Sequence, residues 1–159
     1  MAVSRYAENT SVSSERSRAE IEQTLKRYGA DQFGYGWEAE RAAIQFRAHG
    51  RYVRFVLVLP DRDLPEFTTT PGRKLARTPE QALAAWEQAC RQRWRALALV
   101  VKAKLEAVEA GISEFEDEFL AHVLLPSGQT AGEWLRPQIA TAYEDGGMPS
   151  SLLALGPGS

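Results

Sequence analysis

The sequence predicts an α+β domain in the order helix, three-stranded antiparallel meander, long core helix, then a C-terminal strand or helix and a final helix. Three observations lead to that order. Apolar residues recur at helical spacing before Gly29, three short runs between Phe33 and Leu59 alternate with a period of two, and one unbroken apolar stripe runs from Trp86 to Val108. The chain has 159 residues, 44% of them hydrophobic and 25% charged. That is ordinary globular composition and enough chain for one core.

Residues 1–12 are small and polar and read as a disordered arm, with a single domain over 13–145 and a flexible tail over 146–159. The first helix has a capping box at Ser17-Arg18-Ala19-Glu20, with Ser13 or Ser14 as alternative starts. Ile21, Leu25 and Tyr28 form its apolar face, and Gly29 stands where a left-handed cap would end it. The strands follow as Phe33, Tyr35 and Trp37 between glycines, then Ile44, Phe46 and Ala48, then Val53, Phe55, Leu57 and Leu59. Ala39-Glu40 and His49-Gly50 are short enough to close hairpins. The third strand is apolar on both faces near its end, which predicts helices over part of the sheet.

Pro60 stops that strand, and a long polar loop runs to Arg77. Thr78-Pro79-Glu80-Gln81 then combines a Thr cap, a Pro at the first helical position and a Gln that closes the box. Trp86, Cys90, Trp94, Leu97, Val101, Leu105 and Val108 make this the main core helix. Cys90 lies within that stripe and reads as a small buried side chain rather than a nucleophile. Residues 113–125 fit either a helix, with Phe115 and Phe119 four apart, or a strand from Phe119 to Leu125. A third capping box at Thr130-Ala131-Gly132-Glu133 opens the last helix, which Pro137 should kink or restart.

The formal charge of -2 conceals a segregation. Residues 41–104 carry 13 Lys/Arg against 5 Asp/Glu, a surplus of +8, whereas residues 105–159 carry 1 against 9, or -8. A basic middle predicts contact with a polyanion, and an acidic end predicts competition for that surface or recruitment of another protein. Two basic elements are candidates. On the sheet, Arg47, Tyr52 and Arg54 should face outward beside Gln45, where arginines pair with phosphates and an aromatic ring stacks on an unpaired base; an ordinary solvated face is the alternative. Beyond the sheet, Arg73, Lys74 and Arg77 in the loop could wrap a backbone while disordered when unliganded, and Arg91 and Arg95, with Lys102, share one side of the long helix. The same helix pattern arises in any amphipathic helix.

The acidic stretch Glu114, Glu116, Asp117 and Glu118 is the candidate partner-binding surface. A divalent ion on Glu116, Asp117 or Glu118 would make it a nuclease, but consecutive carboxylates on a helix point in different directions, and no HExxH, paired cysteines, phosphate loop or GxSxG accompanies them. His49 and His122 read as isolated. No catalytic residue, metal site or cofactor is therefore predicted. A polar N-terminus and the absence of a long apolar run predict no membrane contact and a cytoplasmic location.

Several stretches resemble small proteins encoded by bacteriophages and prophages: Ser17-Arg18-Ala19-Glu20-Ile21-Glu22, Arg27-Tyr28-Gly29-Ala30, Tyr52-Val53-Arg54-Phe55, Arg91-Gln92-Arg93-Trp94-Arg95-Ala96-Leu97-Ala98-Leu99 and Glu118-Phe119-Leu120-Ala121-His122. The resemblance runs to about Tyr143 and implies viral nucleic-acid metabolism or interference with host defence. In addition, Phe33-Gly34-Tyr35-Gly36-Trp37 ahead of two strands is similar to the aromatic-Gly-Trp segment of the Rad52-like single-strand annealing proteins, whose order of elements is the same. That order also occurs in the double-stranded RNA-binding fold. The expected function is non-enzymatic binding of single-stranded DNA or RNA, with a role in recombination implied by the second likeness. The alternative is an anti-defence or host-takeover protein that blocks a host protein complex through its acidic C-terminal region. Self-association to a homo-oligomer through the Phe33–Trp37 edge is expected.

Overall fold

The computed structural model describes residues 2–38 and 40–147, with residues 2–13 described by their backbone only. Ala39, half of the first hairpin connection, and 148–159, most of the expected tail, lie outside the described residues. The architecture is an α+β fold: helix α1 (Ala2–Arg27), strands β1 (Gln32–Glu38), β2 (Arg41–Ala48) and β3 (Arg51–Val58), a short helix α2 (Pro65–Thr68), the long helix α3 (Pro79–Glu109), a single turn α4 (Phe115–Glu118), a 3-10 turn (Leu120–His122) and helix α5 (Ala131–Asp145). The sheet order is β1-β2-β3, antiparallel throughout. Among the described residues no helix is long and apolar enough to cross a membrane.

Helix α1 runs through the stretch read as an arm, because no Gly or Pro interrupts it before Gly29. The Ser17–Glu20 box therefore sits inside the helix. Ser14 is fully buried there and accepts a hydrogen bond from Arg18 Nε at 3.2 Å. Gly29, at φ 94°, ends the helix, and the Ala30 N–H donates to the Leu25 carbonyl at 2.9 Å. Ile21 and Leu25 are buried against the rest of the core, and α1 packs along α3.

One face of the sheet is core. Ala42, Ile44, Phe46, Ala48, Val53 and Phe55 are buried, joined by Trp94, Leu97, Val101 and Leu105 of α3 and by Phe115 and Phe119. The β2–β3 connection is a two-residue turn in which His49 (φ 51°) and Gly50 (φ 72°) both take positive φ, as a type I′ hairpin requires. Helices cover one face of the sheet, as the apolar end of β3 suggested, while on the opposite face Val56 and Val58 are 45% and 62% exposed. Helices α1 and α3 pack on the core side, and the start of α5 reaches round to Arg54 of the outer face.

The loop after Pro60 is more ordered than its composition suggests. Phe67 of α2, Leu59, Trp86 and Cys90 form a second buried cluster, and Trp86 Nε1 donates to the Pro60 carbonyl at 2.7 Å. Residues 113–125 adopt neither long element. Phe115 and Phe119 insert into the core from two short helical turns, after which Val123 bridges to Val53 and the Leu124 N–H donates to the Tyr52 carbonyl at 2.8 Å. This extension covers the β3 edge of the sheet, whereas β1 has no strand beyond it among the described residues. Thr130 and Glu133 form the expected reciprocal cap of α5, and Pro137 lies within that helix rather than at its start.

Candidate nucleic-acid interface

The register settles which side chains share the outer face. Gln32 pairs with Arg47 and Arg47 with Tyr52; Gly34 pairs with Gln45 and Gln45 with Arg54; Gly36 pairs with Ala43 and Ala43 with Val56. Arg47, Tyr52 and Arg54 therefore do stand together on the solvent side, as alternation predicts. Their functional groups, however, are engaged within the fold.

Arg47 forms a two-pronged ion pair with Asp31, with Nε to Oδ1 at 2.9 Å. The hydrogen bond from Arg47 holds the Asp31 carboxyl below its ordinary range, and the same contact raises the guanidinium further above its own. Tyr52 donates its hydroxyl hydrogen to Gln32 Oε1 at 3.1 Å. Arg54 reaches the N-terminus of α5, donating to the Gly128 carbonyl at 3.2 Å and pairing with Glu133 at 3.5 Å. A groove of about 420 Å³ opens on this face between Gly36, Ala43 and Val56, with the ion pairs Arg41–Glu38 (2.9 Å) and Arg54–Glu133 on its walls. Those walls balance in charge, so the groove lacks the positive field a phosphate needs.

The acidic candidates behave likewise. Glu116 pairs with Arg51 at 3.2 Å, and Glu118 receives Lys104 both at its carboxylate (3.2 Å) and at its backbone carbonyl (2.9 Å). Glu114 precedes α4 without a side-chain cap, and Asp117 lines a shallow hollow with His49 and Ile112. Among the described residues no three His, Cys, Asp or Glu side chains cluster as a metal site. The +8 and -8 segments thus meet inside one chain, through Arg51–Glu116, Arg54–Glu133, Lys104–Glu118 and the within-helix pair Lys102–Glu106 at 4.0 Å. Arg51, Asp31, Lys104 and Glu133 were invisible as participants in the sequence, because each owes its role to a partner that only the fold brings close. Alternation gives no signal for Arg51, which pairs with the buried Ala48 and so has core-face parity at the exposed start of β3.

The loop and helix cations divide. Arg77 is structural, since its guanidinium donates to the carbonyls of Glu66 and Phe67 at 3.3 and 3.2 Å and closes the C-terminal end of α2. Arg73 and Lys74 occupy a turn pinned by the Thr69–Ala76 bridge and by the Thr70 N–H to Leu75 carbonyl bond at 2.8 Å. The turn is thus preformed, in contrast to the disordered loop expected, with Gly72 at φ 84° and Lys74 at φ 52°. Arg91 and Arg95 sit one residue past the buried Cys90 and Trp94, one helical turn apart and exposed. Among the described residues none of Arg73, Lys74, Arg91 and Arg95 has a bonding partner. Arg91 and Arg95 flank Arg93, which donates to the Val58 carbonyl at 2.9 Å, and Arg73 and Lys74 follow α2, whose Phe67 packs against Trp86 and Cys90 of α3. Tyr52 is six residues from Val58 along the strand, about 20 Å at ~3.3 Å per residue.

Two further titratable groups are withdrawn from solvent, Cys90 fully and His122 in part. Burial pushes the Cys90 thiol up to about 12, which suits a packing residue and not a nucleophile. His122 stacks on Phe55 with centroids 3.9 Å apart, and its pKa is lowered by burial first and by Lys104 second. No family model, curated protein or solved structure matches this chain.

Proposed function

We propose that the protein is a non-enzymatic binder of single-stranded DNA or RNA that contacts phosphates through Arg73, Lys74, Arg91 and Arg95. The observation behind the reading is that these four exposed cations have no partner among the described residues, while the arginines of the sheet are paired. Exposed unpaired cations release counterions from a polyanion without first breaking an internal ion pair. The sequence resemblance to small phage and prophage proteins supports a setting in phage nucleic-acid metabolism in the cytoplasm of a bacterial host. Titration of a labelled single-stranded oligonucleotide, followed by fluorescence anisotropy at low salt, tests the reading. Saturable binding that weakens with salt is expected, and no binding at low salt overturns it.

A second reading, a protein that binds and blocks a host protein complex through its C-terminal region, is favoured by α5. That helix buries no residue and exposes Trp134, Ile139 and Tyr143 at 53%, 46% and 87%. An isolated helix of 15 residues is marginal in water without a packed face, so a partner for this one would be stabilising. The contact would be apolar, in place of the carboxylate contact expected from Glu114 to Glu118. Host-lysate capture by the wild type but not by a Trp134→Ala/Tyr143→Ala variant supports this reading, and equal capture by both removes it.

A further inference from the structure

We infer that β1 is a self-complementary edge through which two copies of this chain pair antiparallel, centred on Tyr35, into one continuous six-stranded sheet. The backbone supports this first. The Leu59 N–H donates to the Glu40 carbonyl at 2.9 Å, which makes Glu40–Leu59 a hydrogen-bonded position of the β2–β3 ladder. Such positions alternate in antiparallel pairs, so Ala42, Ile44 and Phe46 direct their backbone groups at β3, and Arg41, Ala43, Gln45 and Arg47 direct theirs at β1. Their partners Glu38, Gly36, Gly34 and Gln32 are thereby used. Phe33, Tyr35 and Trp37 are left with N–H and C=O pointing to the open edge, where no backbone partner exists among the described residues.

The side chains fit the same operation. Phe33-Gly34-Tyr35-Gly36-Trp37 is a palindrome of aromatic and glycine, so a two-fold axis at Tyr35 sets Phe33 opposite Trp37 of the partner subunit and Gly34 opposite Gly36 of the partner subunit. In that register the residues with open backbone groups oppose one another and can exchange both hydrogen bonds. A shift by one residue would oppose open groups to used ones. Charge agrees as well, because Glu38 meets Gln32 of the partner subunit and not a second carboxylate. The edge lacks the devices that block pairing: Gln32 to Trp37 contains no charge and no Pro, every residue of β1 is at least partly exposed, and Trp37 is 46% exposed. The opposite edge, by contrast, is closed by Val123 and Leu124.

This pairing is independent of the nucleic-acid reading, and it would place two sets of cations on one particle, so the two are tested separately. Light scattering of the full chain without oligonucleotide should give twice the 17.7 kDa chain mass. The dimer should persist at high salt, since backbone bonds and aromatic contacts hold it rather than ion pairs. Trp37→Pro removes an edge N–H that has no use within the chain and should raise the dimer dissociation constant roughly ten- to a hundredfold with unchanged circular dichroism. Mixing Gly34→Cys with Gly36→Cys chains tests the register. Opposed non-hydrogen-bonded positions have Cα atoms about 4.5 Å apart, within disulfide reach, and neither glycine has an atom closer than 3.9 Å to an added Cβ. The mixture should crosslink under mild oxidation far faster than either variant by itself, with buried Cys90 staying reduced. A monomeric mass at every concentration, a dimer indifferent to Trp37→Pro, or a mixture that crosslinks no faster than its components would overturn the inference.

Discussion

The sheet and the α2–α3 corner, meaning the turn after α2 and the Arg91–Arg95 stretch of α3, carry similar numbers of cations and differ in what those cations do. On the sheet, Arg41, Arg47, Arg51 and Arg54 each meet a carboxylate, from Glu38, Asp31, Glu116 and Glu133. At the corner, Arg73, Lys74, Arg91 and Arg95 meet none. The sheet cations serve to seat the acidic C-terminal segment: Arg51 and Arg54 receive α4 and the start of α5, while Leu124 adds to the β3 edge between them. A positive surplus in sequence therefore measures two things at once, charge that binds the chain to itself and charge left for a partner. Only the second can contribute cheaply to polyanion affinity, because using the first costs an internal pair.

The comparison breaks most visibly if binding is lost from the wrong place. Replacing Arg73, Lys74, Arg91 and Arg95 together by Ala should lower single-strand affinity at least about a hundredfold at low salt, whereas Arg47→Ala with Arg54→Ala should change it by less than about threefold. Anisotropy titrations on the two variants decide between the regions.

The seating of the C-terminal segment is tested by Gly132→Ala. A Cβ at that position would lie 2.8 Å from the Ala121 carbonyl oxygen, a backbone atom that cannot swing aside. Urea unfolding should show a loss of about 1–3 kcal/mol, the usual cost of overpacking.

A smaller and sharper change is Glu133→Gln. The amide oxygen retains the cap on the Thr130 N–H, now accepted by Glu133 Oε2 at 3.1 Å, but the charge facing Arg54 is gone. Stability should fall by less than about 1 kcal/mol, since the pair is partly exposed. Oligonucleotide affinity should rise about two- to threefold as Arg54 joins the available cations.

The smallest expected effect is in pH. His122 is held neutral by burial and by Lys104, with its folded pKa below the ordinary 6.5. The unfolded chain binds the proton more readily, so the contribution of His122 to stability is complete above pH 6.5 and is lost as pH falls through the folded value. Thermal unfolding should show a melting temperature that drops between neutral and mildly acidic pH, and His122→Gln should flatten that drop. An identical slope in the variant would show that other groups carry it.

Much of the fold was legible because local signals and long-range packing agree. The capping boxes at Thr78 and Thr130, the alternation in β2 and β3 and the Trp86–Leu105 stripe each report a single physical preference that tertiary contacts leave in place. The start of α1 was misplaced because a good capping box also fits in a helix interior, where Ser17 loses its role and Ser14 is buried. Residues 113–125 resisted assignment because their conformation is set by where Phe115 and Phe119 enter the core and by the β3 edge that Leu124 meets. Of the eight expected nucleic-acid contacts, alternation correctly places Arg47, Tyr52 and Arg54 outward, but pairing depends on residues 16 to 79 positions away, such as Asp31 for Arg47 and Glu133 for Arg54. No periodicity records such partners.

The central claim, that polyanion contact falls to the unpaired corner and not to the paired sheet, is tested most directly by the salt dependence of single-strand affinity in the wild type and the two alanine variants. Four phosphate contacts predict a log–log slope of about -2.8, at roughly -0.7 per contact, that collapses toward zero when Arg73, Lys74, Arg91 and Arg95 are replaced and is retained when Arg47 and Arg54 are. A slope that survives loss of the corner and disappears with Arg47 and Arg54 would contradict the account.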